Sequence, residues 1–154
     1  GLTEQQVKEI AMLGEEEIVQ KDDVLFENGE DVEELFLVER GEFGLFLQAT
    51  DRKKAHSIVS QLMGTVEMEG VLVSTVEPGE VVGWSALIPP HEATATVKAL
   101  EDSLVITLSG KKLRILFDQD RSFECTMIQK VAQVIRQRLQ DRQIESIAFK
   151  AIAD

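Results

Sequence analysis

Residues 77–97 constrain the fold more than any other stretch of this chain. A Pro78-Gly79 turn feeds a short apolar run, Val81-Val82, which ends at Gly83. Trp84-Ser85-Ala86-Leu87 then spells a brief helical turn, stopped by Pro89-Pro90, and the small residues Ala93-Thr94-Ala95-Thr96-Val97 alternate as a strand does. A glycine at a helix start with small residues opposite suits a bound anion, because the first four N–H groups of a helix lack intrahelical partners.

The flanking sequence is mostly β. Ile18-Val19, Val24–Phe26, Leu35–Val38 and Phe43–Leu47 are short strand-like runs split by turns at Asp22-Asp23, Asn28–Asp31 and Arg40–Glu42. Residues 48–56 are polar and aperiodic and read as a solvent loop. Strand character returns over Ile58–Met63 and Val66–Val76, with Gly64 and Gly70 as turns or bulges, and again over Val97–Leu108 on either side of Glu101-Asp102. Strands this short and numerous predict a sandwich or barrel of jelly-roll type.

Helices are expected at both ends. Thr3 and Gln6 match a capping box, Val7, Ile10 and Ala11 form one stripe, and Gly14 stands at the helix end. Ser109 can cap a helix carrying Leu113, Leu116 and Phe117, which ends near Asp120. A longer helix follows with Phe123, Met127, Val131, Val134, Ile135 and Leu139 at spacings of three and four, extended by Ile144, Ile147 and Ala148. That stripe either packs on the protein's own β-structure or pairs with its twin across a dimer axis, with Met127, Val131, Val134, Ile135 and Leu139 as the dimer seam and Arg136, Arg138 and Arg142 as flanking, solubilising charges.

Composition narrows the function. A chain of 154 residues reads as one domain, 1–154, divided into an N-terminal helix (1–14), a β-roll (16–108) and C-terminal helices (110–150). The net charge is −12, and residues 1–50 hold 14 acidic and 3 basic side chains. Nucleic-acid binding needs a concentrated basic face, so no nucleic-acid partner is expected. No apolar run approaches the ~18–20 residues that span a bilayer, so no membrane partner is expected either. Cys125 is the one cysteine. It reads as a small buried hydrophobe, and the lack of a disulfide fits a cytoplasmic setting. His56 and His91 lie in loops and Cys125 on a helix, a spacing that offers no zinc site. No nucleophile–base motif or phosphate loop with lysine is present, so the chain is expected not to be an enzyme.

The order of elements (helix, about eight strands with an inserted helical turn, then two helices) resembles the cyclic nucleotide-binding domain, found in catabolite activator-type regulators, kinase regulatory subunits and cyclic nucleotide-gated channels. Gly29-Glu30, Leu35–Val38 and Gly41 resemble its first glycine-containing hairpins, and Pro78–Gly83 its approach to the phosphate-binding cassette. Gly83-Trp84-Ser85-Ala86-Leu87 resembles the family's Gly-Glu-x-Ala-Leu, and Ala93-Thr94-Ala95-Thr96-Val97 its Arg-x-Ala-Thr-Val. The resemblance implies a mainly β fold with flanking helices, a jelly-roll-like double-stranded β-helix. It also implies a regulatory domain with a small effector bound over Gly83, Trp84, Ser85, Ala86, Ala93 and Thr94. No cofactor is indicated beyond a cyclic nucleotide as effector.

Two side chains depart from the family pattern. Trp84 stands where the glutamate that accepts from the ribose hydroxyl is expected, and Ala93 where the phosphate-pairing arginine is expected. A hydrogen bond to a charged group contributes ~1.5–3 kcal/mol, so loss of the arginine weakens phosphate binding roughly tenfold to a hundredfold. A helix end offers an anion only ~0.3–2 kcal/mol. His91 and Lys98 are the nearest cations, His91 reading as an exposed loop histidine and Lys98 lying about 13 Å along the strand from Thr94. Trp84 either contacts a ligand or fills the ligand's space. Two readings follow: a sensor that relays effector binding through its C-terminal helices, or a ligand-independent interaction or dimerisation module. Few residues follow Ala148, so no DNA-binding domain is expected in this chain.

Overall fold

A computed structural model of the chain describes residues 1–47 and 70–153. The polar loop at 48–56, the expected strand at 58–63, Gly64 and the start of the 66–76 strand lie outside the described residues.

Helix α1 spans Glu4–Leu13 and begins with the expected capping box. Thr3 Oγ1 accepts from the Gln6 N–H at 3.2 Å, and Gln6 Oε1 accepts from the Thr3 N–H at 2.9 Å. Its inward face differs from the stripe expected. Val7 is 51% exposed and Ala11 is exposed, while Gln6 is buried and Leu2, Ile10 and Leu13 pack on the core. The cause is a polar anchor: the Gln6 amide donates to Asp120 Oδ2 at 3.0 Å across 114 residues of sequence. Gly14 ends the helix in extended backbone, at φ −75°, rather than the left-handed geometry of a glycine cap. A Cβ there would sit 2.7 Å from Ile106 Cγ2, so close approach is what favours glycine.

Eight described strands follow: β1 (Glu15–Val19), β2 (Val24–Phe26), β3 (Glu34–Arg40), β4 (Phe43–Leu47), β5 (Val71–Val76), β6 (Val81–Val82), β7 (Thr96–Ala99) and β8 (Ser103–Ser109). They form two antiparallel four-stranded sheets, ordered β1-β8-β3-β6 and β2-β7-β4-β5. Each sheet buries one face against the other, and Val38, Phe43, Val76, Val97 and Val105 close the space between them. The architecture is the expected jelly-roll-like β-roll with flanking helices.

Helix α2 (Gly110–Gln119) is capped by Ser109 Oγ, which accepts from the Lys112 N–H at 3.3 Å. Helix α3 runs unbroken from Arg121 to Ala153, its first turn capped by Asp120 Oδ1 on the Phe123 N–H at 3.1 Å. Phe117 and Phe123 meet edge to face at 5.1 Å and join the two helices. Leu35, Ala86, Leu113 and Phe123 are the centre of this second, helix-side cluster.

The long stripe divides in two. Phe123, Met127 and Val131 are buried within the chain's own fold, and Val134 is half-buried. Met127 and Val131 are therefore core residues, not dimer-seam residues, because α3 lies on its own β-roll. Ile135 and Leu139 are 52% and 55% exposed. Cys125 is also exposed rather than buried, since it falls on the opposite side of α3 from Phe123 and Met127. Among the described residues no helix is long and apolar enough to cross a membrane.

Candidate functional site

The turn at Pro78-Gly79 is pinned to β3 by the Gly79 N–H on the Val38 carbonyl at 2.8 Å and the Val38 N–H on the Glu80 carbonyl at 3.0 Å. β6 then pairs with β3 and delivers the chain to Gly83. Gly83 takes φ +87°, and a Cβ there would lie 2.5 Å from the Glu34 carbonyl oxygen, so only glycine fits this corner. The next residues form one 3-10 turn, Trp84–Ala86. Ala86 donates to the Gly83 carbonyl and Leu87 to the Trp84 carbonyl, each at 3.0 Å. This tighter turn closes its hydrogen bonds one residue earlier than an α-helix and leaves fewer open N–H groups than expected.

The carbonyl end of the turn is held by two side-chain donors. Arg114 Nη1 from α2 donates to the Ala86 carbonyl at 2.6 Å, and His91 Nδ1 donates to the Ser85 carbonyl at 2.9 Å. His91 is therefore a partly buried structural residue, not an exposed loop histidine. The strand expected from Ala93 starts later. Ala93 donates to the Glu30 carbonyl at 2.8 Å and accepts from the Gly29 N–H at 2.9 Å, and β7 begins only at Thr96. Those bonds to the 29–30 turn occupy the backbone groups a sheet partner would have used.

The expected site residues reach different surroundings. Gly83, Ala86 and Ala93 are buried; the two alanines belong to the helix-side cluster, so any ligand contact of theirs is through backbone. Ser85 is half-buried. Trp84 packs on the same cluster, its Nε1 is buried without a hydrogen-bond partner, and its ring lines a cleft of about 720 Å³ between the 77–81 turn and α3. Thr94 instead lines a separate cavity of about 230 Å³. Leu45, Val73, Ser74, Thr94 and Ala95 form its β-roll side, and Ile135, Arg138 and Leu139 of α3 form its cover. The two spaces share Ser74 and Arg138. Sequence reasoning missed Leu45, Val73 and Ser74, which look like ordinary strand residues, and took Arg138 for a solubilising charge. No alternation signals Val73: counted from the buried Val76, a period of two puts Ser74 inside, and Val73 comes inward at the register shift between β4 and β5.

Lys98 does not stand at either cavity. Its Nζ lies 3.7 Å from Asp22 Oδ1 and 6.0 Å from the centre of the Phe46 ring. His56 lies outside the described residues, and among the described residues no group of three or more His, Cys, Asp or Glu side chains could hold a metal ion. The acidic surface gathers on β1 and the start of β3. Partial burial, then the charges of Glu17, Glu33 and Glu15, raise the Glu34 carboxyl above its ordinary value.

Comparison with known proteins agrees with this architecture. The profile of the Cyclic nucleotide-binding domain family matches residues 16–120, and the chain belongs to that family. No curated protein matches the chain by sequence. A cyclic nucleotide-binding domain from Methylobacillus flagellatus superposes with a TM-score of 0.75 at 14% identity, covering 96% of this chain and 74% of its own. The Thermus thermophilus catabolite activator protein superposes at 0.69 with 18% identity, over 97% of this chain and 62% of its own. The regulatory domain of Toxoplasma gondii PKA, solved with cAMP, superposes at 0.60 with 20% identity, over 75% of this chain and 38% of its own.

Proposed function

We propose that residues 1–154 act as one non-enzymatic sensor domain that binds a small effector between the β-roll and α3 and relays its occupancy through that helix. A cyclic nucleotide is the first candidate effector. One observation carries this reading: the cavity beside the cassette is walled on one side by Thr94 and Ala95 and on the other by Ile135 and Leu139. Its volume, about 230 Å³, is below the ~300–1,000 Å³ of typical small-molecule sites. A ligand of nucleotide size must therefore extend into the adjoining cleft past Trp84 or displace α3. Either course couples occupancy to the helix. The Toxoplasma gondii regulatory domain, solved with cAMP, supports a cyclic nucleotide as the first candidate. In this reading the backbone of Gly83, Ser85, Ala86 and Ala93, the Thr94 hydroxyl and the Trp84 ring are the cassette's contacts.

Isothermal titration with cAMP and with cGMP tests the proposal, read alongside melting temperature. Binding is expected to release or absorb heat and to stabilise the fold by about 2.7 kcal/mol at a hundredfold excess over Kd. Absence of both heat and stabilisation at millimolar nucleotide removes these two ligands.

Self-association through α3 is a second reading, favoured by a specific pattern. Ile128, Ala132, Ile135 and Leu139 are all exposed and follow one another at spacings of four, three and four. That is the spacing of a coiled-coil seam. It replaces the seam expected through Met127 and Val131.

A further inference from the structure

We infer that β1 is a docking edge for an extended segment of another protein, one that alternates basic and apolar residues and adds to the sheet as a fifth strand. The inference goes beyond the sensor reading and does not rest on it. β1 is the outer strand of the sheet β1-β8-β3-β6, and among the described residues β8 is its one strand partner. No backbone hydrogen bond of those residues reaches the other side of β1. The alternate N–H and C=O groups that face away from β8 are therefore open to a further strand.

The register sorts the side chains along that edge. Val19 is buried between the sheets, so a period of two turns Glu17 and Glu15 to its side and Glu16 and Ile18 to the outer face. There Ile18 stands across from Leu104, and Leu104 across from Arg40. Gly14 closes over Ile106 and Leu108 at the other end of this face. Ile18 stays 80% exposed, and with Glu16, Arg40, Asp102, Ser103 and Leu104 it lines an open groove of about 540 Å³. Apolar surface rimmed by charge in this way marks a contact surface.

Charge decides what covers it. β1 carries Glu15, Glu16 and Glu17 in succession, and Asp102 joins the groove. Partial burial, then Glu17, Glu33 and Glu15, raise the Glu34 carboxyl, so the field of this edge reaches across β8 to β3. Two copies of β1 laid edge to edge would set glutamate beside glutamate in either direction, which disfavours a second copy of this chain. Nucleic acid and anionic lipid are repelled for the same reason. On an added strand, lysines or arginines of one face would meet Glu15 and Glu17. An apolar residue of the opposite face would enter the groove beside Ile18 and Leu104. Arg40, on the β3 side of the groove, disfavours a basic residue in the groove itself. Main-chain bonds to the open edge then supply affinity, and the side chains select the partner.

Synthetic peptides added to the full chain test the assignment. The first is a labelled heptapeptide alternating lysine with valine or leucine. The second has glutamate in place of lysine, and the third is the first with every backbone nitrogen methylated. Fluorescence anisotropy measures binding, hydrogen exchange follows the amides of Glu15–Val19, and a circular dichroism melt of each variant checks folding. The lysine peptide should bind and slow exchange at the outward β1 amides, and raised salt should weaken it. The glutamate and methylated peptides should not bind. Glu15→Lys combined with Glu17→Lys should lower affinity for the lysine peptide roughly tenfold and admit the glutamate peptide instead. Ile18→Ser should lower it roughly threefold to tenfold through the lost apolar contact, with the melt unchanged because Ile18 is exposed. Equal binding of the methylated and unmethylated peptides would reduce the effect to charge attraction and overturn the docking edge. No binding at millimolar peptide overturns it too, as does binding that neither variant changes.

Discussion

Glu34 and Gly83 meet at the corner where β3 passes the cassette: a Cβ on Gly83 would lie 2.5 Å from the Glu34 carbonyl oxygen. The Glu34 side chain stands among acidic neighbours, and partial burial followed by Glu17, Glu33 and Glu15 raises its pKa. A carboxyl raised in the folded state stabilises only when protonated. Its contribution is complete below the ordinary value of 4.5 and is lost as pH rises through the folded value. Glu34→Gln should therefore raise the melting temperature at about pH 7, and the gain should vanish near pH 4. Melts of both proteins across that range check the prediction, and an equal gain at every pH would contradict it. Asp120 is shifted the other way. The Gln6 amide and the backbone N–H of Phe123 hold its carboxyl below the usual range, so its share of stability is present at neutral pH and lost on acidification.

Among the elements, the junction of α2 and α3 carries the site, because it sets where α3 lies over the roll. Phe123 is fully buried and meets Phe117 edge to face at 5.1 Å. Phe123→Ala should destabilise the domain by about 3–5 kcal/mol, measured by urea denaturation. It should also weaken effector binding, because the cover of the cavity then loses its anchor. How well the sequence shows these elements depends on the range of the interactions behind them. The capping box at Thr3 and Gln6 and the Ser109 cap were legible, since each bond spans three residues. The inward face of α1 was not legible, since it turns on a Gln6–Asp120 bond between distant residues. The start of β7 was placed three residues early because the backbone of Ala93 is taken by Gly29 and Glu30.

For the whole molecule, the question is which face of α3 stays open once the helix has docked. Met127 and Val131 are covered by the chain itself, so substitutions there would test folding rather than assembly. Ile128→Glu alters the exposed stripe without touching either cavity. If α3 pairs two copies, light scattering should give a dimer for wild type and a monomer for Ile128→Glu, at unchanged helicity. A wild-type monomer at all concentrations removes the seam.

The alternation of short apolar runs and turns, and the glycine, 3-10 turn and small residues of 77–97, were enough to determine the β-roll and the family, because they are local backbone requirements that few other folds satisfy. The same residues did not determine the binding chemistry. Ala86 and Ala93 face the core, His91 and Arg114 serve the turn's carbonyls, and the cavity that Thr94 lines takes its other wall from Ile135, Arg138 and Leu139 of α3, more than 40 residues further along the chain. Only the packing of α3 on the roll could decide that. A cavity's lining depends on which surfaces meet, and no spacing along the chain encodes the angle at which a helix comes to rest.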